Sequence, residues 1–332
     1  MPRSRTLGSI TVTALADGEG PFFQPRGEAF PDATEAHWQA ADRLDPGAVT
    51  DDDRWWLRFR AFAVRAGDGP VTLVDAGIGP ADSLAASWAP VPGRLPAELA
   101  AAGIDPADVR TVVLTHLHTD HVGWAGPLFP NADHLLQRAE VDALELFHPE
   151  LPARLLTPLR AAGRLRVVDG ETSLTPGVRL LHTPGHTPGH QSVLVEADDE
   201  RLLITGDLLV HAVQLVEPEL AYAHEEDPET ARHSRTSLLR TLSPATLATP
   251  HLTASFTPTP TPTPRRIDHE VGGLVDLQFR RQLHDQPGVR GEPRAGTAEG
   301  PPAGPAGLLL DGSGVTCWRR RPAWRGRPRR PP

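Results

Sequence analysis

The chain has 332 residues, of which 39% are hydrophobic, and a formal net charge of −9. This length suits one large domain or two modest ones, and the negative charge argues against a nucleic-acid-binding protein. A single cysteine, Cys317, excludes an intramolecular disulfide and a cysteine-based zinc site.

No stretch of the sequence approaches the ~20 consecutive apolar residues that a membrane-spanning helix needs. The arginines near the start are not followed by an apolar region of the kind that indicates a signal peptide. We therefore expect a soluble cytoplasmic protein that has a small-molecule substrate and no membrane or nucleic-acid partner.

The first elements predicted along the chain are strands separated by an irregular segment. Residues 10–16 predict a strand, because apolar side chains alternate there with threonines. Residues 17–45 are predicted to be irregular because glycines and prolines recur. Their phenylalanines Phe22, Phe23 and Phe30 either pack on the body of the protein or form a lid over a site.

A β-hairpin is predicted next, from strands over residues 55–64 and 71–75. The Gly-Asp-Gly sequence at 67–69 between them favours a tight turn. A helix over residues 95–102, closed by Gly103, and a short turn then lead to an apolar, β-branched strand.

The residues that follow this strand carry the clearest chemical signal in the sequence. His116 and His118 are two residues apart, so an extended segment projects both to the same side, and Asp120 continues that alternation. His121 breaks it and can face a second point. Imidazoles and carboxylates are good ligands for borderline divalent cations, so this cluster could serve two metal ions.

The second half of the sequence continues with strands and interspersed helices. Asp227 is predicted to cap a late helix. His134 and His148 fit no ligand pattern and are interpreted as surface or packing residues. The predicted elements are strands over residues 134–137, 165–168, 178–181, 192–196 and 201–205, helices over 141–147 and 228–242, and a last strand over 246–251. Strand pairs that end in potential ligands favour two stacked sheets with helices outside.

The His-x-His-x-Asp-His sequence at 116–121 resembles the signature of the metallo-β-lactamase superfamily. The resemblance covers roughly residues 7–255. It implies an α/β fold, namely a four-layer αββα sandwich of two mixed β-sheets flanked by helices, and a metal-dependent hydrolase.

The same resemblance implies the remaining ligands. His186 fits the superfamily's Pro-Gly-His turn, Asp207 its bridging carboxylate, and His251 its last histidine. Asp75 matches an aspartate that orients the ligand loop. The implied sites are a first metal held by His116, His118 and His186, a second held by Asp120, His121 and His251, and Asp207 bridging them. His182 and His190, which flank His186, are interpreted as hydrogen-bonding within their turn.

The implied mechanism is attack on an ester-like substrate by a hydroxide that bridges two metal ions. A cation lowers the pKa of its bound water from 15.7 to ~7, and Asp120 is placed to help as a catalytic residue with the proton. Some β-lactamases of the superfamily carry a cysteine where this chain has Asp207, and electron-transferring diiron members carry a glutamate in place of His118. The ligand set therefore favours two Zn²⁺ ions and hydrolysis.

Within the superfamily the chain is most similar to the branch of acyl-homoserine lactonases and methyl parathion hydrolase-like phosphotriesterases. The predicted substrate is a lactone, an ester or an organophosphotriester. Alternatives are a glyoxalase II-like thioesterase and a metal-binding regulatory protein without catalysis. The lactonases often have a tyrosine where this chain has Val210, and its only tyrosine is Tyr222.

An apolar substrate pocket could be formed by nearby aromatic residues. The candidates are Phe22, Phe23, Trp55, Trp56 and Trp124. For each of them taken singly, a place in the core is the favoured interpretation.

The C-terminal part of the sequence departs from the superfamily. A hydrolase domain is predicted over residues 1–255, a Thr-Pro linker of polyproline II type over 256–264, and a disordered Arg/Pro/Gly-rich tail over 265–332. The tail is either a genuine appendage or out-of-frame translation. No strand is predicted after His251, although the superfamily closes with one, and a homodimer is expected.

Overall fold

Two β-sheets stacked face to face form the centre of the molecule. The structure is a computed structural model that describes residues 2–126, 128–147 and 153–260. The predicted tail and His148 lie outside these described residues. The first sheet has strand order β1-β2-β3-β4-β5-β6-β7, and the second has β13-β12-β11-β10-β9-β8.

Both sheets are mixed. Strands β1 to β4 pair antiparallel and β4 to β7 pair parallel, whereas in the second sheet only the pair of β11 and β12 is parallel. The strands of the first sheet are β1 (Arg3–Leu7), β2 (Ile10–Pro21), β3 (Trp56–Ala66), β4 (Val71–Val74), β5 (Val109–Val113), β6 (Asp133–Gln137) and β7 (Leu165–Val168). Those of the second are β8 (Thr172–Thr175), β9 (Val178–His182), β10 (Gln191–Ala197), β11 (Glu200–Ile204), β12 (Thr246–Ala248) and β13 (Phe256–Pro258).

Helices cover the outer face of each sheet. They are α1 (Arg26–Ala29), α2 (Glu35–Leu44), α3 (Leu95–Ala101), α4 (Arg138–Phe147), α5 (Leu156–Ala161), α6 (Val213–Val216) and α7 (Pro228–Leu242). Asp227 caps α7 as predicted, because its side chain accepts a hydrogen bond from the Thr230 N–H. Among the described residues, no helix is long and apolar enough to cross a membrane.

Three apolar clusters separate the layers. The central cluster joins the inner faces of the two sheets and includes Val12, Phe62 and Val113 from the first sheet and Val193 and Ile204 from the second. A second cluster packs α3, α4 and α5 onto the first sheet, and a third packs α2, α6 and α7 onto the second. The αββα order predicted from the sequence is confirmed.

The prediction of an irregular segment over residues 17–45 was wrong for most of its length. Strand β2 continues to Pro21, and helix α2 has an amphipathic face that buries Trp38 and Ala41. The glycines in β2 coincide with a bulge between Ala16 and Gly18, where the register with β3 shifts by one residue. A bulge lets a strand pass through glycines that otherwise favour a break.

The prediction that no strand follows His251 was also wrong. Residues Phe256–Pro258 form β13, which pairs antiparallel with β12 at the edge of the second sheet. Proline is tolerated at a sheet edge because its missing N–H faces away from the neighbouring strand. The first three residues of the predicted linker therefore complete the sheet.

Candidate metal centre

Seven side chains converge at one end of the sandwich, between the two sheets. They fall into two groups, and within each group the potential ligand atoms lie within 4.8 Å of one another. The first group is His116, His118, His186 and Asp207, and the second is Asp120, His121 and His251. The structure thus brings together every residue that the sequence predicted as a metal ligand.

The loop after β5 supplies four of these seven residues. His118 faces the first group through Nδ1, which lies 3.0 Å from His186 Nε2. A turn follows, in which the His121 N–H donates to the His118 carbonyl over 3.1 Å. This turn carries His121 to the second group, as its break in the sequence alternation predicted.

Asp207 lies between the two groups and offers one carboxylate oxygen to each. Its Oδ2 lies 3.2 Å from His186 Nε2 and 3.7 Å from His116 Nε2. Its Oδ1 lies 3.3 Å from His121 Nε2 and 3.1 Å from His251 Nε2. A carboxylate in this position can bind two cations at once.

The hydrogen bonding of the centre fits the metal ions that the resemblance implies. His116 Nε2, His121 Nε2 and Asp207 Oδ1 are buried and have no hydrogen-bond partner among the residues that the structure describes. Leaving a buried polar atom unpaired costs roughly 1–3 kcal/mol. Three such atoms aimed into one small volume are accounted for if cations occupy the points they share. Imidazole and carboxylate ligands together suit zinc and similar divalent ions.

Asp75, at the end of β4, holds two of the imidazoles in a ligand-ready orientation. Its Oδ1 accepts from the Thr115 N–H over 2.8 Å, and its Oδ2 lies 2.8 Å from His121 Nδ1 and 3.0 Å from Thr115 Oγ1. Thr115 Oγ1 lies 3.0 Å from His116 Nδ1. With their Nδ1 atoms occupied in this way, His121 and His116 present Nε2 to the centre.

His251 is oriented by the backbone of the opposite sheet. Its Nδ1 lies 2.7 Å from the carbonyl oxygen of Arg58 in β3. Arg60 adds a second connection, because its buried guanidinium donates to the carbonyls of Thr249, Pro250, Leu252 and Thr253. The loop that carries the last predicted ligand is therefore fixed to the first sheet.

His190 does more than the hydrogen bonding within its turn that the sequence predicted. Its Nδ1 lies 3.0 Å from the Thr183 carbonyl, while its Nε2 accepts from the Asp207 N–H over 2.9 Å. Gly206 precedes Asp207 with φ +51°, and a Cβ there would lie 2.7 Å from His190 Nε2. The glycine thus permits the contact through which His190 positions Asp207. His182 keeps to the predicted role, with Nε2 3.2 Å from the Pro188 carbonyl.

Glu140 is a supporting residue that sequence reasoning missed. It lies in α4, where its buried carboxylate accepts from the Leu117 N–H over 2.8 Å and from the Gly189 N–H over 3.0 Å. It thereby connects the loop of His116 and His118 to the turn of His186. Nothing in the sequence distinguishes it from other acidic residues in the first turn of a helix.

Burial and mutual charge divide the imidazoles into two electrostatic classes. Burial, helped by the neighbouring imidazoles, lowers the pKa of His116 well below its usual value and that of His118 to about 3. The pKa values of His121 and His251 are raised instead. Burial acts against this, but the facing carboxylates of Asp207 and Asp120 have the larger combined effect. Cations must displace protons from the second pair, so we expect binding to release protons.

The pKa values of the two carboxylates, Asp207 and Asp120, are shifted in the opposite direction to those of His121 and His251. Burial alone would raise the pKa of Asp207, yet the imidazoles of His121 and His251 hold it well below its usual range. Asp120 is shifted in the same direction for the same reason. Both carboxylates are therefore ionised at neutral pH, as ligands must be.

A series of neighbouring aromatic rings lies beside the centre, and we call it the aromatic rim: Phe59, Trp88, Phe23, His224 and Tyr222. Consecutive ring centroids are 5.6, 6.0, 5.5 and 5.0 Å apart. At one end Phe59 lies 6.0 Å from His251, and at the other Tyr222 stacks on His186 at 6.1 Å with planes 10° apart. The rim therefore extends from one metal group to the other.

The aromatic residues proposed for a substrate pocket lie in different surroundings. Phe23 belongs to the rim, and Phe22 packs against it with ring centroids 4.2 Å apart. Trp55 is buried in the core, and Trp124 donates its indole N–H to Asp17. Trp56 lies half-buried on β3. Phe22 and Phe30 are buried and pack on the body of the protein, as one of the two predictions for this segment had it, whereas Phe23 is half-buried in the rim.

The phenol near the centre comes from an unexpected position. The side chain of Val210 is buried and has no hydroxyl, and Tyr222 lies in the loop between α6 and α7. A buried ion pair of Arg235 with Glu225, 2.7 Å apart, holds this loop, and the Tyr222 N–H donates to Glu225. Sequence reasoning had no means to place Tyr222, because a residue in a loop between helices carries no periodic signal.

Comparison with known proteins gives a family. The family described as the metallo-beta-lactamase superfamily matches residues 60–251. An N-acyl homoserine lactonase of Bacillus sp. is 31% identical over 190 residues, which are 53% of this chain and 70% of the relative. For several other N-acyl homoserine lactonases, the match spans half or less of the relative's length.

Two solved structures have the same fold. The hydrolase AbOPH of the β-lactamase superfamily aligns with a TM-score of 0.63 and 25% identity, covering 79% of this chain and 98% of that one. AidC, a dizinc quorum-quenching lactonase in complex with a product, aligns with a TM-score of 0.65 and 22% identity, covering 79% and 95%.

Proposed function

The chain belongs to the metallo-β-lactamase superfamily, and we propose that it is a dinuclear metal-dependent hydrolase of lactones or related esters. The observation that carries this proposal is the position of Asp207, whose two oxygens face separate groups of imidazoles. A single metal ion would need only one of these groups. The lactonase names of the relatives support the same substrate class.

In the proposed centre His116, His118 and His186 would hold one cation, and Asp120, His121 and His251 would hold another. Asp207 has an oxygen within reach of each group. When two divalent ions are bound, they lower the pKa of water to ~7 and polarise the substrate carbonyl. The imidazoles of His116 and His118 are neutral at that pH because burial keeps their pKa low, so they leave the cation's charge undiminished.

Asp120 is the residue that we propose moves the proton. Its Oδ2 lies 3.4 Å from His121 Nε2 and 3.7 Å from His251 Nε2, and the carboxylate retains some exposure. Its pKa is lowered, so the ionised carboxylate can accept a proton from the attacking water. It can return that proton to the leaving alkoxide oxygen when the ester bond breaks, which releases the alcohol.

The aromatic rim supports a substrate with an uncharged apolar portion. Phe23, Trp88 and His224 are partly exposed, so their rings are accessible to a substrate. Burial lowers the pKa of His224 to about 4, so its ring is neutral at physiological pH. A rim without charge suits an acyl or aryl group and does not suit the carboxylates of a glutathione thioester.

Zinc is the metal that we propose. The ligand set of five imidazoles and two carboxylates, without a thiolate, is compatible with zinc and does not exclude other borderline divalent ions. Metal analysis of the purified protein tests this, with two zinc ions per chain expected. The cytoplasmic location and the homodimer expected from the sequence stay predictions.

A substrate panel with and without chelator tests the function. We expect hydrolysis of acyl lactones or aryl esters that is lost on chelation and restored by zinc. Preference for a thioester would favour the glyoxalase II-like alternative, and preference for a phosphotriester would move the substrate to that class. A metal-loaded protein inactive on the whole panel would contradict the proposal.

A further inference from the structure

A second cavity, distinct from the metal centre, opens beside the edge of the first sheet. Its volume is about 280 Å³, slightly less than the ~300–1,000 Å³ of typical ligand clefts, so it suits a compact ligand. The charged residues that line it are Arg3, Arg58, Arg60, Arg94, Glu19 and Glu98. The bulge in β2 and the loop after β12 supply other parts of the wall, including Gly18 and Ser255.

The arginines of this cavity are not fully neutralised by its two glutamates. Glu19 lies 3.4 Å from Arg58, and Glu98 accepts a hydrogen bond from the Ala16 N–H. Arg3 and Arg94 have exposed side chains, and no ion pair involves either one among the described residues. Four arginines against two glutamates leave a surplus of two positive charges, within a chain whose formal net charge is −9.

Arg60 gives the cavity a buried positive charge. It is 7% exposed and bonds only to backbone carbonyls, which solvate the guanidinium without neutralising it. Burial lowers its pKa to about 10. The neighbouring Arg58 and Arg3 act in the same direction, and Asp45 and Glu19 offset them in part. An anion at this place would relieve that repulsion.

We propose that this cavity binds a compact oxyanion, such as a phosphate or carboxylate group, through Arg58 and Arg94, with Arg3 at the rim. Guanidinium groups match the geometry of such anions, since their N–H donors can engage two oxygens at once. The cavity is a separate binding site, and its occupancy does not depend on the hydrolase proposal.

The position of the cavity links it to the second metal group. Arg58 contributes the carbonyl oxygen that lies 2.7 Å from His251 Nδ1. Arg60 holds the loop of residues 249–253 through four carbonyls. An anion that orders Arg58 and offsets the charge of Arg60 therefore stabilises the loop that carries His251.

Calorimetric titration of the full chain with sulfate tests the proposal. Sodium chloride keeps the ionic strength constant, and the titration is repeated on protein treated with chelator, so that sulfate bound by metal ions is distinguished. We expect one sulfate site in both preparations. Arg58→Gln and Arg94→Gln should each weaken it about tenfold, as expected for loss of a charge-assisted hydrogen bond.

Arg110→Gln is the matched control, because Arg110 is exposed in β5 and lies outside the cavity. It should bind sulfate as the unmodified chain does. Equal weakening in all three variants, or no sulfate binding at about 10 mM, would overturn the proposal. Anomalous scattering from soaked selenate should place the anion in the cavity, and a peak at the metal centre alone would also overturn it.

Amide hydrogen exchange tests the link to His251. Exchange across residues 249–255 should slow when sulfate binds the unmodified chain, and Arg94→Gln should need about tenfold more sulfate for the same slowing. Sulfate binding without any change in this loop would overturn the link.

Discussion

At the scale of single residues, the second nitrogen of an imidazole matters as much as the one that faces the cation. His121 is held by Asp75, His116 by Thr115, and His251 by the Arg58 carbonyl. Such contacts fix which nitrogen carries the proton, and so which one offers its lone pair. The seven proposed ligands therefore depend on a second set of residues that the sequence signature does not contain.

Asp75→Asn tests this dependence. The amide oxygen can still accept from the Thr115 N–H, but its NH₂ group would face His121 Nδ1, where a carboxylate oxygen now lies 2.8 Å away. Two donors would then oppose each other, so His121 should lose its orientation. We expect metal affinity to fall about 10–100-fold, measured by competition with a chromogenic chelator. Unchanged affinity would show that His121 does not rely on Asp75.

His190→Ala tests the positioning of Asp207. The variant removes the acceptor of the Asp207 N–H, so the bridging carboxylate should lose its fixed distance to the two groups. We expect kcat to fall about 10–100-fold with KM little changed, together with a loss of bound metal. His182→Ala is the control, since His182 contacts only the Pro188 carbonyl in this turn, and it should behave as the unmodified chain does.

Trp88→Ala tests the aromatic rim. Trp88 connects Phe59 to Phe23, and its indole N–H donates to Thr119 in the ligand loop over 3.0 Å. Removing the ring should raise KM for substrates with long acyl or aryl groups about tenfold, which corresponds to loss of one buried aromatic contact. Substrates with a methyl group should be affected less. An equal effect on both would place Trp88 outside the substrate contacts.

At the scale of elements, the sequence predicted those with a strong local pattern. The hairpin of β3 and β4, the ligand strand β5 and helix α7 lie close to the predicted ranges, because periodicity and turn residues agree there. The extension of β2 and the strand β13 were missed, since glycine in one and proline in the other mimic a break. Both are stabilised by tertiary pairing that local patterns do not reveal.

The closing strand leads to a prediction about the domain boundary. Phe256 packs into the central cluster, and Thr259 exchanges hydrogen bonds with Ala245, with its N–H donating over 2.8 Å and its Oγ1 accepting over 3.0 Å. A chain that ends at Pro260 should therefore unfold at a higher temperature than one that ends at Ser255. Thermal unfolding followed by circular dichroism compares the two, and equal midpoints would support the predicted boundary at 255.

At the scale of the whole molecule, the buried neutral histidines predict sensitivity to acid. The Gly126 N–H donates to His134 Nε2, which requires a neutral ring, and burial lowers the pKa of His134 to about 4. The unfolded chain has the higher pKa, so it binds the proton first. The stability contributed by neutral His134 is full above about pH 6.5 and is lost as the pH falls towards 4.

We expect the free energy of unfolding to fall by about 2 kcal/mol between pH 7 and pH 5 from His134 alone. His134→Gln, which keeps an acceptor and cannot be protonated, should show a correspondingly flatter dependence in urea titrations at the two pH values. An identical slope in both proteins would mean that His134 titrates alike in the folded and unfolded states.

The sequence predicted the members of the metal centre more completely than their surroundings. A signature for ligands survives in the sequence because consecutive residues of one loop supply four of them. The supporting contacts of Glu140, His190 and the Arg58 carbonyl come from distant elements that meet only in the folded chain. The order of the aromatic rim depends on strand β3 and three separate loops, so the sequence did not reveal it either.

The ligands in the loop after β5 belong to the first sheet, whereas His186, Asp207 and His251 follow strands of the second. Two ions bound there would cross-link the two sheets of the sandwich. Ions that bind only the folded chain stabilise it by mass action. A shortage of metal should therefore shorten the lifetime of the protein as well as remove its activity. We expect resistance to proteolysis to increase with the metal concentration.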